Sequence, residues 1–258
     1  MALSKEAIHD LLEDAHQRYN NPEFIQDDPI QVPHLFSKKE DIEIAAYLSA
    51  TIAWGRRASI IKNAHSFVER MDQAPHEFVM QASDTDLSRL DTFVHRTFNG
   101  IDAKALILSL RAIYRNDGME AIFAKGMGDE RSTFGGITAF HGAMTAHPDF
   151  PDRSRKHVAN PAKGSSAKRI NMFLRWMVRD DGQGVDFGIW KSIHSRQLMM
   201  PLDVHTGNVS RSLGLLTRKQ NDWKAVIELT ESLREFNAED PIRFDFSLFG
   251  LGAYNQLV

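Results

Sequence analysis

The sequence of 258 residues contains no cysteine. This absence excludes disulfide bonds, zinc or iron–sulfur sites built on thiolates, and thiol nucleophiles. The chain also lacks an apolar run of membrane-spanning length, and its first twenty residues carry acidic side chains where an export signal needs an uninterrupted apolar stretch. These absences predict a soluble, cytoplasmic protein with no membrane partner.

The sequence has little strand-like patterning, because no segment alternates apolar and polar residues for long. Apolar residues recur at helical spacing, beginning with an amphipathic helix over residues 4–19. A capping-box pattern, Ser37 with Glu40, is expected to open a central core helix that breaks near Gly55 and continues as a second helix. The predicted fold class is all-α.

Glycine, proline and turn-forming residues collect between residues 127 and 165, which marks a seam. We interpret residues 1–258 as a single globular unit with two helical subdomains, 37–150 and 151–258. The N-terminal helix, 1–20, is expected to pack on the second subdomain.

Charge is unevenly distributed along a chain whose net charge is −3. Residues 153–179 contain no Asp or Glu and eight basic side chains: Arg153, Arg155, Lys156, Lys163, Lys168, Arg169, Arg175 and Arg179. Such a segment is typical of a surface that follows phosphates. It is equally typical of a solvated face whose balancing acids arrive on folding.

The segment PLDVHTGNVSRSLGLL places Asp203 where a helix N-cap belongs, just after Pro201. Capping alone would explain Asp203, at about 1 kcal/mol. The amides of a helix start would also hold its carboxylate ionised and oriented, as a general base or a partner for a developing cation requires.

A turn marked by Pro161 and Gly164 is followed by small residues, 165–167, that are expected to open a helix. Lys168 lies in the first turn of this helix, whose apolar face starts at Ile170. A helix start is the positive end of the helix dipole, so the ammonium form of Lys168 is disfavoured there and a nucleophilic amine is favoured. The same turn would suit a lysine that binds phosphate.

Together these segments resemble the helix-hairpin-helix DNA glycosylases, in which a glycine-containing hairpin leads to a lysine and a later Pro-apolar-Asp-x-His segment supplies an aspartate. The resemblance covers residues 41–64, 160–216 and 242–254, about half of the chain, and includes AAYLSAT and FSLFGLG. We also expect the chain to belong to an uncharacterised bacterial family related to these enzymes.

The chain departs from the pattern in three places. Ala50, Thr51 and Ile52 stand where family members carry the glutamine that fills the gap left by an extruded base. Ser166 replaces a hairpin glycine. Lys168 and Asp203 lie 35 residues apart, which exceeds the common spacing and looks more like the subset that acts on 8-oxoguanine.

The resemblance implies two helical subdomains that flank a cleft, and a monomeric repair enzyme that binds damaged double-stranded DNA without a cofactor or metal. The target base is extruded, Lys168 attacks C1′ of its sugar to form a Schiff base, and Asp203 stabilises the developing charge. AP lyase cleavage of the strand can follow. The implied DNA-binding residues are Lys163, Gly164, Ser165, Ser166, Arg169, His205 and Arg211, and the aromatic candidates for the base pocket are Trp54, Trp190 and Phe249.

Two other functions fit the same residues. A non-catalytic DNA-binding module would use the hairpin and the basic segment alone, with Asp203 as a cap and Lys168 as a counter-ion. A metal-dependent hydrolase would use Asp203 and His205 with some of the other histidines, namely His95, His141, His147 and His157.

Overall fold

The structure, a computed structural model, describes residues 3–253. Over these residues helices dominate and strand structure is confined to one short hairpin, which confirms the all-α fold class. The first two residues of the helix predicted over 1–20, and Tyr254 at the end of the family resemblance, lie outside the described residues.

The described chain divides into two compact units. Unit 1 comprises residues 3–24, 129–134 and 161–253, and unit 2 comprises 25–128 and 135–160. The α-helices of unit 1 are α1 Lys5–Tyr19, α10 Lys168–Val178, α11 Val204–Ser212, α12 Trp223–Arg234 and α13 Asp245–Ala253, with short 3-10 helices at Pro161–Lys163, Ser195–Gln197 and Pro241–Phe244. A short helix, α2 Glu23–Gln26, contains the first boundary between the units.

Unit 2 contains the remaining elements. Its α-helices are α3 Lys39–Thr51, α4 Arg57–Glu69, α5 Pro75–Gln81, α6 Asp84–Ser88, α7 Gly100–Tyr114, α8 Gly118–Met127 and α9 Phe134–Met144, whose first residue belongs to unit 1. Strands β1 Val94–His95 and β2 Phe98–Asn99 pair antiparallel, and 3-10 helices lie at Pro29–Gln31, Pro33–Leu35 and Asp152–His157.

Small residues explain how α13 packs in unit 1. This helix contacts both α1 and α11. A Cβ atom on Gly250 would overlap the ring of Tyr19, and one on Gly252 would press on His205 and Val209. The glycines of FSLFGLG therefore allow α13 to approach both neighbours closely.

Helix α10 forms the apolar centre of unit 1, and its residues from Ile170 to Val178 are buried. The loop that follows folds back on its C-terminal end, where the amide of Phe187 donates to the Trp176 carbonyl and that of Trp190 to the Met177 carbonyl. Lys168 is thus the first residue of a helix that is buried from Ile170 onward and held by the following loop at its C-terminal end.

Two local predictions in unit 2 are wrong. Helix α3 begins at Lys39, with Lys38 at the N-cap and no side-chain cap, so Ser37 and Glu40 do not form the expected capping box. The hairpin Val94–Asn99 is a strand pair that the sequence did not reveal, because strands of two residues are too short to show alternation.

Candidate functional site

The N-terminus of α10 has an unusual backbone. Its N-cap residue, Ala167, lies in the left-handed region at φ 51° and offers no side-chain cap. Ser165 compensates in part, because its hydroxyl accepts a hydrogen bond from the Ala167 amide at 3.1 Å. This turn starts α10 at Lys168, three positions later than Ser165, where the sequence predicted the helix to open. Lys168 nevertheless lies in the first turn, as predicted.

Asp203 is the N-cap of α11, also as predicted. Its Oδ1 accepts a hydrogen bond from the amide of Thr206 at 3.0 Å. The Asp203 carbonyl accepts one from the Asn221 side chain at 2.9 Å, so backbone and carboxylate are both fixed. Oδ1 serves the helix, which leaves Oδ2 for another partner.

That partner is Lys168, whose Nζ lies 3.7 Å from Asp203 Oδ2. Both side chains are about 25% exposed, so the pair is shielded without being sealed from solvent. Two residues 35 positions apart in sequence therefore converge in unit 1. A partly exposed lysine beside an oriented carboxylate is an arrangement that nucleophilic catalysis can use.

A second carboxylate, Asp245 at the start of α13, lies behind this pair. Burial raises the pKa of Asp245 above its ordinary value, and the opposite charges of Arg175 and Lys168 partly offset the effect, while the negative charge of Asp203 adds to it. Its carboxylate accepts a hydrogen bond from Arg175. Asp245 therefore contributes negative charge close to Lys168 from inside the protein.

Arg175 and Arg179 are buried in ion pairs. Arg175 bonds Asp245 and Asp186, and Arg179 donates to Asp186 at 2.7 Å and to Asp240 at 3.0 Å. These arginines, only 4% and 1% exposed, do not contribute to a phosphate-binding surface, which corrects that part of the predicted basic segment. The carboxylates that balance the two arginines lie outside residues 153–179 in the sequence and include Asp186, Asp240 and Asp245.

The hairpin before α10 presents the predicted DNA-binding residues mainly at the surface. Lys163, Gly164 and Ser165 are exposed, while Ser166 and Arg169 are half-buried. Gly164 adopts φ 84°, which a glycine tolerates without strain. Ser165 forms a β-bridge with Asp222, which attaches the hairpin to the start of α12.

His205 and Arg211, both on α11, have different surroundings. His205 is exposed. Arg211 is half-buried and donates to the Arg218 carbonyl at 2.8 Å and to Asn221 Oδ1 at 2.6 Å. Because Asn221 in turn holds the Asp203 carbonyl, Arg211 helps to position Asp203. A DNA contact for either residue stays a prediction.

The three aromatic candidates differ in accessibility. Trp190 is 1% exposed and packs edge-on against Phe173, so a base could stack on it only if this core opened. Phe249 is half-buried beside Phe24 in unit 1, and Trp54 is half-buried in unit 2. The ring of Trp190 is therefore better explained as core.

A polar cavity of about 420 Å³ lies in unit 1, and Arg179, Asp181, Asp240 and Asn20 are among its lining residues. None of the predicted site residues lines it. Its charged walls belong to the buried ion pairs of Arg179. The cavity therefore does not account for the convergence of Lys168 and Asp203.

Neither a metal centre nor a membrane span emerges from the described residues. Among residues 3–253, no three His, Asp or Glu side chains are grouped so that they could hold a metal ion. The metal-dependent alternative thus gains no support from geometry. Over the same residues, no helix combines the length and apolarity needed to cross a bilayer.

Sequence reasoning missed Asp245, Asn221 and the buried partners of Arg175. Asp245 directly precedes the small-residue helix FSLFGLG, and a carboxylate at a helix start is a signal that could have drawn attention to it. Asn221 carried no such signal, because its role depends on a contact with a carbonyl 18 residues earlier.

The comparisons with known proteins support a family assignment alone. A family profile described as "Protein of unknown function (DUF2400)" matches residues 28–254. No curated protein and no solved structure matches the chain significantly.

Proposed function

The chain belongs to the DUF2400 family, whose description states no activity, and we propose that it is a DNA repair glycosylase that excises an oxidised base of the 8-oxoguanine type. The observation that carries the proposal is the approach of Lys168 Nζ to within 3.7 Å of Asp203 Oδ2. The helix-hairpin-helix glycosylase resemblance was drawn from these two segments, and it requires their side chains to reach one sugar.

The surroundings of the pair support a fixed geometry for attack by Lys168. Lys168 is the first residue of α10, so its side chain starts from an ordered backbone. Asp203 provides an oriented carboxylate, and the Arg211–Asn221–Asp203 chain of hydrogen bonds fixes the backbone that carries it. Fixed geometry of this kind lowers the cost of reaching the reactive arrangement.

In the proposed step, the carboxylate of Asp203 accepts a proton from the Lys168 ammonium. The freed Nζ lone pair forms a bond to C1′ of the extruded nucleotide while the C1′–N glycosidic bond breaks. The bond electrons leave with the base, which takes up a proton from solvent. The C1′–O4′ bond of the sugar then breaks, the ring oxygen takes up the proton that the attacking nitrogen loses, and a Schiff base forms between Lys168 and C1′. AP lyase elimination of the 3′ phosphate can follow.

Borohydride trapping tests this chemistry directly, because it reduces the Schiff base to a stable adduct. Wild-type protein, Lys168→Ala and Lys224→Ala are incubated with labelled duplexes that contain 8-oxoguanine or an abasic site. Lys224 is the control, since it is an exposed lysine of unit 1 on α12 and is not one of the predicted DNA-binding residues. We expect an adduct with wild type and Lys224→Ala, and none with Lys168→Ala.

A non-catalytic DNA-binding module is the second candidate, and the exposure of Lys163, Gly164 and Ser165 favours it. On this alternative the 3.7 Å approach is a plain ion pair. Duplex binding without any adduct on either duplex would favour the module over the enzyme. Absence of binding would contradict both.

A further inference from the structure

Three segments of unit 2 meet around the side chain of Trp54. The Trp54 ring stacks on His157, with ring centroids 5.7 Å apart and an interplanar angle of 22°, and meets His95 edge-on at 4.9 Å. A ring nitrogen of His95 also lies 3.0 Å from the Trp54 carbonyl oxygen. The α3–α4 loop, the β1–β2 hairpin and the 3-10 helix Asp152–His157 are thereby held together.

These three segments are strongly basic. Residues 53–57, 94–99 and 152–157 contain one carboxylate, Asp152, and six basic side chains: Arg56, Arg57, Arg96, Arg153, Arg155 and Lys156. Asp102 on α7 lies beneath them, fully buried, where it accepts a hydrogen bond from Ser154 at 2.7 Å and pairs with Arg153 at 3.2 Å. We call the surface formed by the three segments the Trp54 patch.

Contacts place Arg96 and Arg153 on one hairpin, and Arg96 lies next to the loop that carries Arg56. The Arg96 side chain lies against Gly55, the neighbour of Arg56. Arg153 donates to Asn99 Oδ1 at 2.8 Å and to the Thr97 carbonyl at 3.2 Å, so it lies along the same hairpin. Arg56 and Arg96 are exposed, and neither side chain has a hydrogen bond or ion pair with the part of the chain described here.

Arg96 occupies a position that glycine normally takes. It is the first residue of the two-residue turn between β1 and β2, and its φ is 56°. A left-handed conformation costs a side-chain-bearing residue about 1 kcal/mol, so stability alone does not explain an arginine here. An outlier of this kind in an exposed turn is consistent with a functional constraint.

We infer that the Trp54 patch binds the phosphodiester backbone of DNA. Guanidinium groups match phosphate oxygens in geometry and charge, and Arg56 and Arg96 have no acidic partner to displace first among residues 3–253. The inference adds to the proposed function a backbone contact made by segments of unit 2, in addition to the hairpin residues of unit 1. It rests on the proposed function for the identity of the polyanion as DNA.

The test measures affinity for an undamaged duplex as a function of salt, by fluorescence anisotropy. The patch variant is Arg56→Gln with Arg96→Gly, and the control is Arg115→Gln with Lys125→Gln, which removes two exposed charges elsewhere in unit 2. Each lost phosphate contact lowers the slope of log K against log salt by about 0.9. We expect the patch variant to bind about tenfold more weakly near physiological salt, with a slope shallower by about 2.

The melting temperature of the patch variant shows whether weaker binding results from unfolding of the protein. Arg96→Gly relieves the left-handed backbone and should leave the melting temperature unchanged or higher. Weaker binding by a patch variant that is at least as stable as wild type supports the inference. Equal affinity and slope for patch variant, control and wild type overturn it.

The results separate this inference from the proposed function. A wild-type borohydride adduct combined with normal binding by the patch variant overturns the Trp54 patch alone. Weakened binding by the patch variant without an adduct from wild type overturns the glycosylase alone. A wild-type protein that binds no duplex at any salt concentration overturns both.

Discussion

At the residue scale, the two oxygens of the Asp203 carboxylate have different partners. Oδ1 caps α11 through Thr206, and Oδ2 faces Lys168. Asparagine caps helices about as well as aspartate but carries no charge and accepts no proton. Capping and the proposed proton transfer can therefore be separated by a single substitution.

Asp203→Asn should preserve stability and abolish most of the proposed chemistry. Because the cap is retained, the melting temperature should stay close to wild type, whereas Asp203→Ala should lose about 1 kcal/mol. Loss of the proton acceptor should lower the single-turnover rate of base excision by about a hundredfold or more. An Asp203→Asn protein that excises at the wild-type rate would show that Asp203 is only a cap.

The buried carboxylate of Asp245 should contribute far more to stability than the carboxylate of an exposed aspartate does. Asp245→Asn removes the charge that Arg175 meets in the core, and leaving a buried cation poorly compensated costs about 3 kcal/mol or more. Chemical denaturation should detect the loss. Asp10→Asn on α1 is the control, because that side chain is 83% exposed and should unfold like wild type. An Asp245→Asn protein whose free energy of unfolding equals that of wild type would contradict the assigned ion pair.

At the element scale, the start of α12 and the hairpin before α10 are linked through Asp222. This residue caps α12 by accepting the amide of Ala225 at 3.1 Å and forms the β-bridge to Ser165. Hydrogen bonds from Arg218 lower the pKa of its carboxyl to about 2. The element that carries Lys168 is therefore attached to a helix start that depends on an ionised side chain.

The lowered pKa of Asp222 gives a pH dependence with a defined sign. A carboxyl whose pKa is lower in the folded state than in the unfolded state stabilises above its unfolded value of 3.8 and loses that contribution as the pH falls towards 2. Asp222→Asn keeps an acceptable cap but lacks the charge. We expect its deficit in free energy of unfolding, measured in urea, to be constant from pH 7 to 5 and to shrink below pH 4. A deficit that does not change with pH would contradict this assignment.

Elements with local signals were predictable from the sequence, and those set by distant contacts were not. Periodicity and turn residues within a few positions account for helix α1, for Lys168 in the first turn of α10 and for the cap at Asp203. The failure of the Ser37 capping box shows the limit of such signals, because α3 starts at Lys39 although a suitable pair is present. The buried partners of Arg175 and Arg179 come from residues up to 70 positions away, which no local pattern encodes.

At the scale of the whole molecule, net charge conceals how charge is arranged. The chain is acidic overall, at −3, yet its buried arginines are neutralised internally while Arg56, Arg96 and Lys163 lie exposed. The exposed surface at these residues therefore carries positive charge, although the net charge of the chain is negative. Binding that depends on such local charge should be strongly weakened by salt.

DNA binding should accordingly appear as a stabilisation of the entire fold. A ligand at a concentration of 100 Kd that binds only folded protein adds about 2.7 kcal/mol to the free energy of unfolding. This raises the melting temperature by about 5 to 10 °C in a protein of this size.

A duplex with a stable abasic-site analogue should give a larger shift in melting temperature than an undamaged duplex at equal concentration, because a site without a base is easier to extrude. Lys168→Ala should retain both shifts, since binding precedes the covalent step, and about 0.5 M salt should abolish them. If neither duplex shifts the transition at low salt, DNA is not the partner of this protein, and the pairing of Lys168 with Asp203 then serves another substrate or stability alone.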